Sequence, residues 1–86
     1  MEISVELTLS PLSDDFESEI KTYIKALRES GLKLIETPLC TQVYGEYDTV
    51  FSTIERLTKT IFDKNENILL NIKIVKGDRS TYEPFN

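Results

Sequence analysis

Apolar and polar residues alternate strictly at the beginning of the chain, and this is the clearest pattern in the sequence. The apolar positions are Ile3, Val5, Leu7 and Leu9. Because successive side chains of a strand point to opposite faces, a period of two predicts a strand over residues 2–10 with one face in a core. Pro11 lacks a backbone N–H group and is expected to end this strand.

The following segment repeats its apolar residues at intervals of three and four, which predicts a helix with one apolar face. These residues are Phe16, Ile20, Tyr23, Ile24 and Leu27. Asp14 and Glu17 have the spacing of a capping box, and Ser13 is the competing N-cap. Gly31 is expected to adopt the left-handed conformation that ends a helix.

The rest of the chain predicts two short strands, a second helix and a last strand. The short strands cover residues 32–37 and 40–45, with Pro38 between them. Asp48 is the expected N-cap of the second helix. The apolar stripe of that helix comprises Val50, Phe51, Ile54, Leu57, Ile61 and Phe62. The last strand covers residues 68–75, with Ile68, Leu70, Ile72 and Ile74 on one face.

The order strand, helix, strand, strand, helix, strand predicts an α+β, ferredoxin-like βαββαβ fold, with a four-stranded antiparallel sheet and two helices on one face. The first and last strands are predicted in the centre of the sheet, because two right-handed crossovers are expected to place them there, and their clean alternation agrees with this position. We predict one domain over residues 1–76 and a short polar C-terminal tail over residues 77–86. The tail is expected to be mobile unless it docks on a partner.

The sheet face without helices, called the open face below, has a mixed composition. From the first and last strands it carries Glu2, Ser4, Glu6, Thr8, Leu69, Asn71, Lys73 and Val75. Such a face is either solvated or covered by a second subunit. We favour a subunit contact, because a domain of 86 residues buries a limited core and Leu69 and Val75 would otherwise be exposed.

The composition of the chain excludes several classes of binding partner and indicates a cellular compartment. The chain has 10 Lys and Arg residues against 15 Asp and Glu residues, a formal net charge of −5, which argues against nucleic-acid and anionic-membrane partners. With no histidine and one cysteine, neither a disulfide nor a metal site is expected. The chain shows no signal-peptide pattern and no apolar run of about 20 residues, so a cytoplasmic protein is expected.

No catalytic constellation stands out. The commonest general base, histidine, is missing, and Cys40 therefore lacks the partner that activates a nucleophilic thiol. The acidic turn at residues 10–15 contains no arginine, which disfavours an acylphosphatase-like hydrolase. We therefore predict no catalytic residues, no cofactor and no enzymatic activity.

Two segments are richer in polar groups than a scaffold requires. The first runs from residue 10 to 16, with Ser10, Asp14, Asp15 and Phe16 as candidate ligand-binding residues. A helix N-terminus favours an anion, whereas two carboxylates favour a cation or an amino group. The alternative is a simple strand end followed by a helix cap.

The second segment runs from residue 37 to 46. Its candidate ligand-binding residues are Thr37, Thr41, Tyr44 and Glu46. A few convergent polar groups beside apolar residues are typical of a small-molecule pocket. The alternative is a bulged hairpin with no ligand.

With these segments in view, the sequence resembles the thiamine-binding protein family, which includes the YkoF-type thiamine and hydroxymethylpyrimidine binders. The resemblance covers nearly the whole chain and rests on the order and spacing of several short motifs. They are residues 11–16 (PLSDDF), 26–32 (ALRESGL), 37–41 (TPLCT), Gly45-Glu46, Asp48 and residues 71–74 (NIKI).

The resemblance implies a ferredoxin-like domain that associates through its sheets into a homodimer or homotetramer. It implies binding of thiamine or its hydroxymethylpyrimidine moiety for uptake or salvage. Residues 13–16 are most similar to the branch with two fused copies, so a homodimer would supply the second copy here. The sequence departs from the family at Cys40, where a small residue is common, and at Ser10, where that branch has an aromatic residue.

Thiamine also suits the chemistry of the candidate residues. Asp14, Asp15 or Glu46 could accept a hydrogen bond from its amino group or offset its charge. Tyr44 or Phe16 could stack on a ring. Because one fold supports many functions, the alternative is a regulatory or interaction module that binds another metabolite or a protein partner.

Overall fold

Strands and helices follow one another in the predicted order. The structure is a computed structural model that describes residues 1–12 and 16–84, with all of their side chains except that of Phe16. The elements are β1 (Glu2–Pro11), α1 (Phe16–Glu29), β2 (Lys33–Glu36), β3 (Thr41–Glu46), α2 (Tyr47–Asp63) and β4 (Ile68–Lys76). They form one antiparallel sheet with strand order β2-β3-β1-β4, which confirms the ferredoxin-like α+β fold.

The positions of the strands within the sheet correct one prediction. The centre holds β1 and β3, whereas β4 pairs with β1 and lies at an edge. Each helical crossover spans one intervening strand: α1 leads from β1 to β2 with β3 between them, and α2 leads from β3 to β4 with β1 between them. The prediction that the first and last strands are both central was therefore wrong.

The core lies between the sheet and the two helices. It consists of Ile3, Val5, Leu7, Tyr23, Leu27, Val43, Val50, Ile54, Leu57 and Ile61. Gly45 allows α2 to approach β3 closely, because a Cβ atom there would lie 3.1 Å from Val50 Cγ2 and 3.3 Å from Leu32 Cδ2. Nearly all of these core residues come from the predicted apolar faces, and burial of those faces drives the packing.

The ends of the helices follow the prediction in one case and correct it in another. Gly31 follows α1 with φ +84°, the left-handed conformation expected of it. The N-cap of α2 is Glu46 and not Asp48, because β3 runs directly into the helix and Asp48 falls in its first turn. The Glu46 carboxylate accepts hydrogen bonds from Thr49 N at 3.0 Å and Thr49 Oγ1 at 3.2 Å. The predicted α1 caps, Ser13 and Asp14, lie outside the described residues.

The Glu46 cap predicts a pH-dependent contribution to stability. Hydrogen bonds from backbone N–H groups, first that of Thr49, hold the pKa of Glu46 below its ordinary value. A carboxylate with a lowered folded-state pKa stabilises the fold above its unfolded pKa of about 4.3, and this contribution is lost as the pH falls through the folded pKa. We expect Glu46→Gln to lower the Tm at pH 7, and the gap to wild type to close towards pH 3.

Thermal unfolding followed by circular dichroism at both pH values checks this prediction. The matched control is Glu83→Gln, which removes an exposed carboxylate from the tail. A gap of equal size at pH 7 and pH 3 would show that the charge of Glu46 does not stabilise the helix.

The chain that follows β4 folds back over the open face. Gly77 N donates to Glu2 O at 2.8 Å, and the Ser4 hydroxyl donates to Gly77 O at 2.8 Å. Arg79 N then donates to Ser4 Oγ at 2.8 Å, and further along Lys33 Nζ donates to Ser80 Oγ at 3.0 Å. The first part of the predicted tail therefore crosses the sheet from β4 to β2 and buries Ser4 on the open face.

Candidate functional site

A pocket of about 270 Å³ lies where the end of β1, the inner face of α1 and the β2–β3 turn meet. Its apolar lining residues include Leu7, Leu9, Ile20, Ile24 and Leu39, and its polar ones include Tyr23, Thr37, Cys40 and Thr41. Apolar walls with a few polar groups are typical of small-molecule sites. The pocket therefore lies between the β2–β3 turn, which belongs to the second candidate segment, and β1 and α1, which flank the first candidate segment.

The turn that closes one side of the pocket is held by Thr37. Its hydroxyl accepts hydrogen bonds from Leu39 N at 3.2 Å and Cys40 N at 3.0 Å, and donates to Cys40 O at 3.1 Å. Thr37 N also donates to Cys40 O at 2.9 Å. The predicted binding residue Thr37 therefore shapes the pocket by fixing the turn, and its hydroxyl is already used for that purpose.

Thr41 provides a polar group on the pocket wall. It opposes Leu7 across the β1–β3 ladder, so its side chain lies on the helix side of the sheet, where it is buried. The structure shows no hydrogen bond from the Thr41 hydroxyl to any described residue. A hydroxyl can both donate and accept, so Thr41 can match either a ring nitrogen or an amino group of a ligand.

Tyr23 contributes to the pocket with its ring, and its hydroxyl is used elsewhere. The hydroxyl lies 2.9 Å from Thr58 Oγ1 and links α1 to α2, and burial raises the pKa of Tyr23. The apolar pattern of α1 predicted that Tyr23 and its neighbours lie in the core, but it did not indicate that they line a pocket. Helical periodicity identifies the inward face of α1, but it carries no signal for a gap beside that face.

Three of the predicted site residues lie away from the pocket. Ser10 is on the open face, because it alternates with the inward-facing Leu9. Tyr44 is also on the open face, where its hydroxyl donates to Gln42 Oε1 at 2.6 Å, while Glu46 caps α2. Burial is the main cause that raises the pKa of Tyr44.

The remaining predicted residues belong to the start of α1. Asp14 and Asp15 lie outside the described residues, and Phe16 begins the helix without a described side chain. The described lining of the pocket contains no charged side chain. Over residues 1–12 and 16–84, no group of three or more potential metal-ligating side chains occurs, and no helix is both long and apolar enough to cross a bilayer.

The fold is ferredoxin-like, and the pocket has the make-up that is typical of a small-molecule site. The family model described as thiamine-binding protein matches residues 5–83, and the chain belongs to this family. The resemblance seen in the sequence is thereby confirmed. Comparison with curated protein sequences gave no match.

Solved structures with the same fold come from several bacteria. A proposed thiamine biosynthesis/salvage protein from Thermotoga maritima has 20% sequence identity and a TM-score of 0.78, over 86% of this chain and 82% of that chain. A Streptococcus pneumoniae protein has 24% identity and a TM-score of 0.85, over 94% and 92%. A domain of unknown function from Bacillus cereus has 19% identity and a TM-score of 0.74, over 90% and 77%.

Proposed function

We propose that this protein is a non-catalytic binding protein for thiamine or its hydroxymethylpyrimidine moiety, and that the pocket beside α1 is its ligand site. The main support for this proposal is the position of the pocket. It is lined by the β2–β3 turn and by the two elements that flank residues 13–15, within the region matched by the family. The chemistry of the lining residues suits reversible binding of a neutral ring better than a reaction.

The size of the pocket favours the pyrimidine ring as the buried part of the ligand. Pockets for drug-sized molecules span roughly 300–1,000 Å³, and this one has about 270 Å³. This volume suits a single heterocycle beside Leu9 and Ile24, and we propose the Thr41 hydroxyl as its hydrogen-bond partner. The cationic thiazolium of thiamine would then lie at the mouth, and we propose Asp14 and Asp15 as the carboxylates that offset its charge.

The proposal includes the setting in which the protein acts. We propose a cytoplasmic carrier or sensor that works as a homodimer or homotetramer. The half-buried Cys40 is a free thiol in the structure, and free thiols are typical of reducing compartments. The acidic net charge of −5 suits a cationic ligand.

Isothermal titration calorimetry with thiamine, its phosphates and hydroxymethylpyrimidine tests the function. We expect saturable binding of thiamine or the pyrimidine at one site per chain. Flat titrations at high micromolar ligand would overturn the proposal. They would favour the alternative, an interaction module with a different metabolite or a protein partner.

Replacing Thr41 with valine tests the role of its hydroxyl. The two side chains have nearly the same shape, so the variant removes one hydrogen bond, worth about 1–1.5 kcal/mol, and leaves the pocket volume unchanged. We expect the Kd for the pyrimidine to rise about tenfold. The matched control is Thr60→Val on the exposed face of α2, which should bind as wild type does. Equal affinity of Thr41→Val and wild type would exclude Thr41 as a ligand contact.

A further inference from the structure

Cys40 is the single cysteine of the chain, and the proposed function leaves its thiol unused. The residue is half-buried, lines the pocket beside α1 and carries a free thiol. The preceding turn residues Pro38 and Leu39 also line the pocket and are exposed, so this side of the pocket is open to solvent. Because the thiolate form of cysteine is a strong nucleophile, the pocket holds a reactive group as well as binding groups.

The hydrogen bonds of the β2–β3 turn leave the Cys40 thiol uncommitted. Its Sγ atom lies 3.6 Å from Thr37 Oγ1, which is a weak sulfur contact. The Thr37 hydroxyl already donates to Cys40 O and accepts from Leu39 N and Cys40 N. Since the hydrogen and both lone pairs of this hydroxyl are used by the turn, it does not hold the thiol proton. The same hydrogen bonds fix the backbone of Cys40, which keeps the residue on the pocket wall.

A second feature of the pocket, independent of the cysteine, points to a bound molecule. Thr41 is 7% exposed, and its side chain lies on the pocket wall. Its hydroxyl forms no hydrogen bond with any described residue, and a buried hydroxyl without a partner is unfavourable. A group that enters the pocket beside Cys40 can therefore supply the hydrogen bond that Thr41 lacks.

We propose that Cys40 is a modification site for small disulfides, and that the attached group occupies the pocket and excludes the ligand. This inference rests on the proposed function, because the molecule displaced is the ligand proposed for this pocket. Disulfides in reducing compartments are usually transient and serve redox sensing. The modification therefore couples ligand binding to the redox state of the surroundings.

The modification is a thiol–disulfide exchange. The Cys40 thiolate attacks one sulfur of the small disulfide, so that a new S–S bond forms at Sγ while the original S–S bond breaks. The departing half leaves as a thiolate and takes up the proton that Cys40 has lost. Cys40 is thereby oxidised and the departing half is reduced, and the incoming disulfide is the only oxidant required. An added thiol reverses the step by the same route.

The lining of the pocket selects the kind of disulfide. The described lining is uncharged, and its apolar side chains include Leu7, Leu9, Ile20 and Ile24. A charged group would lose its hydration there without gaining a partner, whereas a small neutral group would not. A hydroxyethyl group can place its carbon atoms against the apolar walls and its hydroxyl beside Thr41. In a space of about 270 Å³ it takes up room that the pyrimidine ring needs.

Intact-mass spectrometry on the full chain tests the site without the ligand. The probes are bis(hydroxyethyl) disulfide, which is small and neutral, and dithiobis(nitrobenzoate), which is bulky and anionic. The matched control combines Cys40→Ser with Thr60→Cys, which moves the thiol to the exposed face of α2. We expect the neutral disulfide to add one group to each protein, and the bulky disulfide to modify Cys40 about tenfold more slowly than the control thiol.

Two results of the mass measurements would overturn the proposal. One is equal rates for Cys40 and the control thiol with the bulky disulfide, because the thiol would then lie outside the confines of the pocket. The other is a covalent dimer of chains, or no adduct at all, when wild type is treated with the neutral disulfide.

Calorimetry with hydroxymethylpyrimidine tests the effect on binding. We expect the hydroxyethyl adduct to raise the Kd of wild type about tenfold or more, and dithiothreitol to restore it. The control protein should have the same Kd before and after modification. Bound pyrimidine should also slow the modification of Cys40 and leave that of the control thiol unchanged. Thermal unfolding of the adduct should give the wild-type Tm.

The outcomes separate this inference from the proposed function. If unmodified wild type binds the pyrimidine and the folded adduct binds it equally well, the inference is wrong and the proposed function stands. A wild type that binds no pyrimidine would overturn the proposed function together with the displacement of the ligand. The existence of the modification site is then decided by the mass measurements alone.

Discussion

Leu27→Ala is expected to lower the free energy of unfolding by about 2–5 kcal/mol. Leu27 is fully buried on the inner face of α1, in the cluster that joins both helices to the sheet. The change removes apolar contacts and leaves a cavity that the closely packed surroundings fill only in part. Because a small domain has a total stability of about 5–15 kcal/mol, the variant should unfold at much lower urea concentration.

Urea unfolding followed by circular dichroism measures this loss. The matched control is Leu39→Ala, which removes the same atoms from a side chain that is 85% exposed. Surface changes of this kind usually stay within about 0.5 kcal/mol. Similar midpoints for the two variants would mean that α1 is not packed on the sheet as described.

Cys40→Leu is expected to weaken ligand binding about 10- to 100-fold by filling the pocket. Cys40 lies at the end of the turn, half-buried, with its Sγ atom 3.6 Å from Thr37 Oγ1. Leucine is larger and branched, and excess volume in a fitted site costs about 1–3 kcal/mol. Little of this cost should fall on the fold, because the adjoining turn residues Pro38 and Leu39 are exposed.

Calorimetry with the pyrimidine, alongside thermal unfolding, separates the two effects. Cys40→Ser has nearly the volume of the wild-type side chain and should bind within a few-fold of wild type. We expect all three proteins to have similar Tm values. Binding by Cys40→Leu that equals that of wild type would place the ligand outside this pocket.

Much of the fold follows from local patterns in the sequence. The alternation in β1 and the stripe of α1 predicted which side chains are buried, and Gly31 marked the end of the helix. The position of β4 did not follow, because clean alternation identifies a strand with one buried face and does not distinguish a central strand from an edge strand.

The candidate site was predictable only in part. The β2–β3 turn with Thr37 and Thr41 does line the pocket, but Tyr44 was grouped with them although it lies three positions beyond Thr41 on the same strand. An odd separation along a strand places two side chains on opposite faces, so these two could not share a pocket. The apolar walls were not predictable. An inward residue such as Leu9 borders a gap only if α1 packs incompletely against the sheet at that point, and the sequence pattern does not indicate this.

The pairing of β1 with β4 has a consequence for how the chain is made. Glu2–Pro11 leaves the ribosome well before Ile68–Lys76, the strand that pairs with one of its edges. Until then the inward apolar side chains of β1 have an incomplete sheet around them, and long-range pairings of this kind form slowly. The sheet of this domain is therefore completed only after β4 has left the ribosome, and a stall in translation before Ile68 would leave an aggregation-prone nascent chain.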